Sequence, residues 1–159
     1  MKALLCKQYG LPDTLVVEEV PDPVPGAGEI VVDMKAAGVN FPDVLIIQNK
    51  YQFKPELPFS PGAEFAGIVS ALGPGVTHLK VGDRAAYASQ PPGSYSEARV
   101  MPAKTVCVLP DAISFETGAA MMLKGLTAQY LLKRTQPQGG LQPGDHVLFH
   151  AAAGGVGLI

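Results

Sequence analysis

The sequence contains little cysteine, little charge and no long apolar run. Its 159 residues include two cysteines, Cys6 and Cys107, and no CxxC pair, which favours buried free thiols in a reducing compartment over a disulfide. No apolar run approaches the roughly 20 residues of a transmembrane helix, and the N-terminus lacks the apolar segment of a signal peptide. The net charge of -2 gives no reason to expect nucleic acid or an anionic membrane as a partner. These absences predict a cytoplasmic protein.

The chain is instead rich in apolar residues, glycine and proline. Hydrophobic residues make up 47% of it and charged residues 16%, a balance that excludes disorder and favours a well-packed core. The 18 glycines and 15 prolines separate short apolar runs, which indicates many short strands joined by turns. The length suits one domain of ordinary size together with part of another.

Short apolar and β-branched runs predict strands as far as Pro110. They lie at residues 3–7, 15–20, 29–37, 65–72, 84–89, 95–101 and 105–109. A short helical turn is predicted near Pro42, because proline suits the first position of a helix. Strands at this spacing favour an antiparallel barrel or sandwich.

The pattern changes to a helical one over residues 114–134. Ser114 is expected to cap this helix, whereas Gly118 and Gly125 weaken it and favour a break into two. A loop is expected over residues 135–143.

We place a domain boundary near residue 122. Residues 1–122 then form a β-rich, barrel-like domain, and residues 123–159 form the opening helix, strand and glycine turn of an α/β domain.

Residues 144–157 (GDHVLFHAAAGGVG) are typical of a strand that enters a phosphate-binding turn. The run 147–149 suits a buried strand, and Ala152, Gly154 and Gly157 occupy the places of a G-x-G-x-x-G fingerprint, with alanine first. The helix whose amides hold the phosphate and the residue that contacts the ribose are expected after the last residue. We therefore expect an incomplete dinucleotide-binding domain, and a chain that by itself is not a working enzyme.

Four segments carry a resemblance to a known family. Residues 62–67 (GAEFAG), followed by Gly73 and Val76, resemble the signature of medium-chain dehydrogenases/reductases. Residues 144–157 are similar to the quinone-reductase and zeta-crystallin signature of that superfamily, and GVNFPD and LKGLT resemble the same branch. The resemblance implies a mixed β and α/β fold class: a GroES-like β-barrel followed by the start of a Rossmann domain.

The resemblance also bears on zinc. In the zinc-dependent alcohol dehydrogenases of the superfamily, the catalytic ligands occupy positions that correspond here to Asn40, Ala63 and Lys124. Zinc requires thiolate, imidazole or carboxylate donors, which an amide, a methyl group and an ammonium group do not provide. The cysteine-rich lobe of a structural zinc is also absent between Tyr87 and Tyr95. We expect no metal.

The catalytic residues implied by the resemblance are Asn40, Tyr51 and Lys124. Asn40 and Tyr51 are expected near the nicotinamide, with Asn40 orienting acceptor or cofactor. Lys124 and Thr127 are expected to contact the nicotinamide or its ribose, with Lys124 a donor near developing negative charge. A second tyrosine of related quinone reductases is replaced here by Leu45. The residues expected at the pyrophosphate are Ala152, Ala153, Gly154, Gly155, Val156 and Gly157.

The same residue types also have structural interpretations. Asn40 suits a turn that needs its backbone groups satisfied, Tyr51 suits a loop, and a helical lysine such as Lys124 is usually solvated. Asp43 and Glu64 resemble an acid–base pair, but we expect structural supports, because the metal that they would serve is missing.

The family implies an NADPH-dependent, zinc-free quinone reductase that forms a homodimer. Hydride would pass from the nicotinamide to a quinone or a similarly electron-poor acceptor, and the preference for NADPH rests on the resemblance alone. Two alternatives stay open. One is a zinc-free enoyl-thioester reductase with Tyr51 as the proton donor, and the other is a non-catalytic truncated product that binds a partner.

Overall fold

The computed structural model describes residues 1–135 and 139–159. Its contacts divide the chain into two compact units, Met1–Ala120 and Met121–Ile159. The strands are β1 (Lys2–Leu5), β2 (Val16–Glu19), β3 (Glu29–Gly38), β4 (Glu64–Leu72), β5 (Arg84–Ala88), β6 (Ala98–Pro102) and β7 (Cys107–Val108). The helices are α1 (Phe41–Ile47) and α2 (Phe115–Lys133), with 3-10 turns at Pro12–Thr14 and Ala103–Thr105.

The first unit is built on an antiparallel sheet of five strands in the order β6-β3-β4-β5-β7. The central pair is β3 with β4, and its register shifts between Val31 and Val32 and again between Met34 and Ala36. Such irregularities increase the twist of a strand and bend it. The predicted strands are thus present, and two of them, β6 and β7, begin later than the apolar runs suggested.

The core lies on one face of this sheet because alternate residues of a strand point the same way. Ile30 and Val32 on β3, with Phe65 and Val69 on β4, are almost completely buried. The whole buried cluster is Ile30, Val32, Phe65, Val69, Leu79, Ala85, Tyr87, Met101 and Ala103. Within this cluster the rings of Phe65 and Tyr87 pack with their centroids 5.5 Å apart.

The two-stranded sheet β1-β2 is joined to the larger sheet by the segment that precedes β6. The amide of Leu4 donates to the carbonyl of Tyr95 at 2.8 Å, and the amide of Glu97 donates to the carbonyl of Lys2 at 3.0 Å. Single bridges pair Ala3 with Ser96 and Cys6 with Phe59. The N-terminal strand therefore holds the backbone on either side of Tyr95.

Helix α2 is continuous, so the expected break at its glycines is wrong. Ser114 caps the helix as predicted, because its Oγ accepts the amide of Thr117 at 3.1 Å. Gly118 lies where a Cβ would be 3.0 Å from Leu109 and 3.2 Å from Ala66. Glycine has a low helical propensity, but here it allows the helix to pack closely against Leu109 and Ala66, which offsets that cost.

The strand expected at 147–149 is not formed, which corrects the prediction. Within residues 139–159 the chain makes turns, and Val147, Leu148 and Phe149 are exposed. A strand needs a neighbour for its amides and carbonyls, and no described residue pairs with this run. The loop expected over 135–143 falls partly on residues 136–138, which lie outside the described residues.

The two cysteines are both free thiols. Cys6 is buried as predicted, and burial raises the pKa of its thiol. Cys107 is exposed, contrary to the prediction, because it lies on the two-residue edge strand β7, where both side chains face solvent. Among the described helices, none is long and apolar enough to cross a membrane.

Candidate functional site

Asn40 lies where β3 ends and α1 begins, and it is 9% exposed. Its backbone is extended, with φ -127° and ψ 152°, as is usual for the residue before a helix. The amide of Asn40 donates to Asp43 Oδ2 at 2.9 Å, and the amide of Asp43 donates to the Asn40 carbonyl at 3.0 Å. The bond from the Asn40 main-chain amide to the Asp43 carboxylate is one half of the capping box at the start of α1.

The side chain of Asn40 is held by Glu64. Asn40 Nδ2 donates to Glu64 Oε2 at 2.7 Å, and Glu64 is completely buried at the start of β4. A carboxylate is an acceptor only. The atom of the Asn40 side-chain amide that faces Glu64 is therefore the nitrogen and not the oxygen. The two acids expected to be structural supports both contact Asn40.

Tyr95 completes the cluster, and the sequence did not point to it. Its hydroxyl donates to Asp43 Oδ2 at 2.9 Å and lies 3.4 Å from the carbonyl of Gly38. Burial, reinforced by the charge of Asp43, raises the pKa of Tyr95 above its ordinary range. Asn40, Asp43, Glu64 and Tyr95 form what we call the Asn40 cluster. Its tyrosine lies 55 residues from the asparagine in sequence (95 − 40), and no spacing rule connects such distant positions.

The glycines around the cluster are required by close approach. A Cβ at Gly62, where φ is +87°, would lie 2.5 Å from the Tyr95 ring. A Cβ at Gly67 would strike the carbonyl of Asp33 on the neighbouring strand, and one at Gly38 would strike the Glu64 carboxylate. The signature GAEFAG therefore provides room for Tyr95, a partner for Asn40 and a close contact between β3 and β4.

Asn40 is flanked by exposed apolar residues. Val39 is 76% exposed and Phe41 is 73% exposed, on either side of the buried asparagine. Tyr51 and Leu45 are both half-buried. Small-molecule sites are lined mainly by apolar side chains together with a few fixed polar groups, and both kinds of residue occur in this segment.

The second unit contains the other predicted site residues. Lys124 and Thr127 lie on α2, and the Thr127 hydroxyl donates to the Leu123 carbonyl at 2.7 Å. A Cβ at Gly155 would come within 2.8 Å of Lys124 Cε, so the structure brings Lys124 and the glycine turn together. Asn40 and Tyr51 belong to the first unit.

The glycine turn itself is small and accessible. Residues 151–155 are all exposed, and the amide of Gly154 donates to the Ala151 carbonyl at 2.8 Å. A Cβ at Gly157 would strike the backbone of Ala152. Exposed backbone whose residues carry nothing larger than a methyl group fits a phosphate group, which requires close approach to main-chain amides.

The positions that correspond to zinc ligands carry no metal donors. Asn40 is bonded to Glu64, and Ala63 is an 8% exposed methyl group. Over residues 1–135 and 139–159, no group of three or more histidine, cysteine, aspartate or glutamate side chains is placed to hold a metal ion.

Comparison with known proteins identifies close relatives. The family model of the alcohol dehydrogenase GroES-like domain matches residues 26–132. The chain is 48% identical to a quinone oxidoreductase of Pseudomonas aeruginosa over 94% of its own length and 45% of the relative. It is 39% identical to a 2-haloacrylate reductase of a Burkholderia species over 100% of its length and 48% of that protein.

A solved structure agrees with these matches. The crystal structure of Escherichia coli quinone oxidoreductase complexed with NADPH superposes with a TM-score of 0.92 at 45% identity, covering 100% of this chain and 48% of that one. The chain thus spans about half the length of its relatives. The predicted GroES-like fold and the resemblance to the quinone-reductase branch are confirmed.

Proposed function

The chain belongs to the alcohol dehydrogenase GroES-like family, and on that premise we propose that it serves NADPH-dependent, zinc-independent reduction of quinones. The observation that carries this proposal is the Asn40 cluster. It fixes the side-chain amide of Asn40, and the residues before and after Asn40 in the chain, Val39 and Phe41, are exposed and apolar. A quinone has the complementary form, a flat apolar ring with polar oxygens at its edge.

Rigid placement matters for this chemistry. Two reactants held in the right geometry gain a large rate advantage over free encounter. In the cluster, Glu64 fixes the Asn40 side chain and Asp43 fixes its backbone. Asn40 is therefore suited to orient an acceptor or a cofactor without moving during the reaction.

NADPH is the proposed cofactor, and the second unit supplies the groups that would hold it. The exposed backbone of residues 151–155 suits the pyrophosphate, and Lys124 and Thr127 are proposed to contact the nicotinamide or its ribose. Bound NADPH supplies a hydride, which together with a proton from solvent converts a quinone to a hydroquinone. The E. coli quinone oxidoreductase, to which this chain is similar, has been crystallised with NADPH.

Zinc independence is supported by the chemistry of the three corresponding positions. An amide bonded to a buried carboxylate, a buried methyl group and a lysine replace thiolate, imidazole or carboxylate donors. The polarising role of a metal would fall to hydrogen-bond donors, of which Lys124 is the proposed one.

The test is made on a version of the protein that spans the full length of its relatives, and it follows the loss of NADPH absorbance in the presence of 1,4-benzoquinone, with NADH as the cofactor control. Asn40→Ala is expected to reduce kcat by on the order of 100-fold, because positioning contributes that much. Lys124→Ala should lower the rate, whereas Lys133→Ala in the last turn of the same helix should not. An unchanged rate in Asn40→Ala would contradict the proposal.

A second candidate is reduction of an activated carbon–carbon double bond. The relative named 2-haloacrylate reductase favours it, and half-buried Tyr51 is the proposed proton donor. A preference for an enoyl thioester over benzoquinone, lost in Tyr51→Phe, would establish this alternative. Failure to bind NADPH, together with concentration-dependent association in the ultracentrifuge, would instead favour a non-catalytic binding protein. A homodimer and a cytoplasmic location stay predictions.

A further inference from the structure

We propose that Tyr95 is a positioning residue for Asn40, acting through the carboxylate of Asp43. This inference rests on the proposed role of Asn40. The evidence is a chain of two short hydrogen bonds that converge on one oxygen. Asp43 Oδ2 accepts the Tyr95 hydroxyl at 2.9 Å and the Asn40 amide at 2.9 Å.

The bond to Asp43 holds the backbone of Asn40, while Glu64 holds its side chain. If the bond from its side chain to Glu64 were the only one, the backbone of Asn40 could still move together with the first turn of α1. With the main-chain amide tied to Asp43 Oδ2 as well, both ends of the residue are fixed. Tyr95 adds a second donor to that oxygen, and two donors restrict the position of the carboxylate more than the Asn40 amide does alone.

Tyr95 is itself immobilised from three sides. Its amide donates to the Pro61 carbonyl at 3.1 Å, and its carbonyl accepts the amide of Leu4 at 2.8 Å. Its ring packs where a Cβ of Gly62 would otherwise lie, at 2.5 Å. The hydroxyl therefore reaches Asp43 from a fixed frame made by β1 and the turn before β4.

The hydroxyl is also a dependable donor. Burial and the neighbouring charge of Asp43 raise the pKa of Tyr95, so the phenol keeps its proton at the pH of an ordinary assay. It acts as a donor to Asp43 and has no need to exchange a proton with substrate. This separates Tyr95 from Tyr51, which is the candidate proton donor.

The chain offers a matched control in Tyr87. Its hydroxyl donates to the Gln90 carbonyl at 2.8 Å, and the residue is 3% exposed. Tyr87→Phe and Tyr95→Phe each remove one hydroxyl while keeping the ring, and the lost contacts are to Gln90 in the first case and to Asp43 and the Gly38 carbonyl in the second. Both should lower the melting temperature slightly, but Tyr95→Phe alone should disturb Asn40.

The experiment measures Asn40 directly and then its function. Hydrogen exchange by NMR should show the backbone amide of Asn40 exchanging about tenfold faster in Tyr95→Phe, because its acceptor Asp43 has lost one of the donors that hold it. Tyr87→Phe should leave that rate unchanged. In benzoquinone reduction, Tyr95→Phe should lower kcat by on the order of tenfold or more at unchanged KM for NADPH.

A double-mutant cycle decides whether Tyr95 acts through Asn40. In the Asn40→Ala background, Tyr95→Phe should produce no further loss of kcat, since residues that act as a unit are not additive. Additive losses, or unchanged exchange of the Asn40 amide, would overturn the inference. If the version that spans the full length of the relatives reduces no quinone, the proposed function fails, and the exchange measurement alone decides whether Tyr95 positions Asn40.

Discussion

Two glycines of helix α2 should respond in opposite directions to the same substitution. Gly118 and Gly125 are seven residues apart, so they lie within about 20° of each other around the helix. In a helix interior, alanine is more favourable than glycine by about 0.8–1.0 kcal/mol. At Gly125 an added Cβ has no heavy atom of the described chain within 4 Å, apart from its chain neighbours and the nearby backbone of its own helix. Gly125→Ala should therefore realise this gain in full.

The environment of Gly118 reverses the sign. An added Cβ would lie 3.0 Å and 3.1 Å from the two methyl groups of Leu109 and 3.2 Å from Ala66. Both neighbours are buried, and overpacking of this kind costs about 1–3 kcal/mol. Set against the helical gain, Gly118→Ala should destabilise the protein by about 1 kcal/mol.

The assay is thermal unfolding followed by circular dichroism, with urea denaturation as a second measure. For a chain of this size, 1 kcal/mol corresponds to a shift in Tm of about 2–4 °C. We expect an increase of that size for Gly125→Ala and a decrease of that size for Gly118→Ala. An increase in both variants would show that Leu109 moves aside at no cost, and a decrease in Gly125→Ala would refute the open environment assigned to it.

Three further predictions follow from the site. Gly157→Ala should weaken NADPH binding in calorimetric titration by at least about tenfold, because its Cβ would strike Ala152; unchanged affinity would exclude this turn as the phosphate site. Dialysis against EDTA should alter neither Tm nor benzoquinone reduction, and a loss that zinc restores would contradict zinc independence. The raised pKa of Tyr95 means that the unfolded chain loses this proton first, at an ordinary value of 10.0. The stability from Tyr95 is thus complete below about pH 10 and declines above it, so urea denaturation should show a steeper alkaline loss in the unmodified protein than in Tyr95→Phe.

The strands and helix starts were predictable because they depend on local chemistry. Alternating apolar residues of β3 and β4 place Ile30, Val32 and Phe65 in the core, and Ser114 caps α2 as its side chain suggests. The apolar run at 147–149 predicts a strand that the structure does not form. Apolar composition indicates a preference for burial, but it does not provide the neighbouring strand that pairing requires. The prediction that Cys107 is buried is wrong for a related reason. An apolar sequence does not distinguish an edge strand from a central one.

The sequence by itself determined the family, the order of the β-rich and glycine-turn segments, the choice of Asn40 as a site candidate, and the pair Asp43 and Glu64 as structural acids. It did so because these residues lie in short motifs whose spacing is visible along the chain. Only the tertiary structure decided that Glu64 bonds the Asn40 side chain, and that Tyr95 reaches Asp43 across the space left by Gly62. Those contacts join β1, β3, β4 and the segment before β6, and a hydrogen bond depends on distances of about 3 Å that strand pairing sets and sequence separation does not.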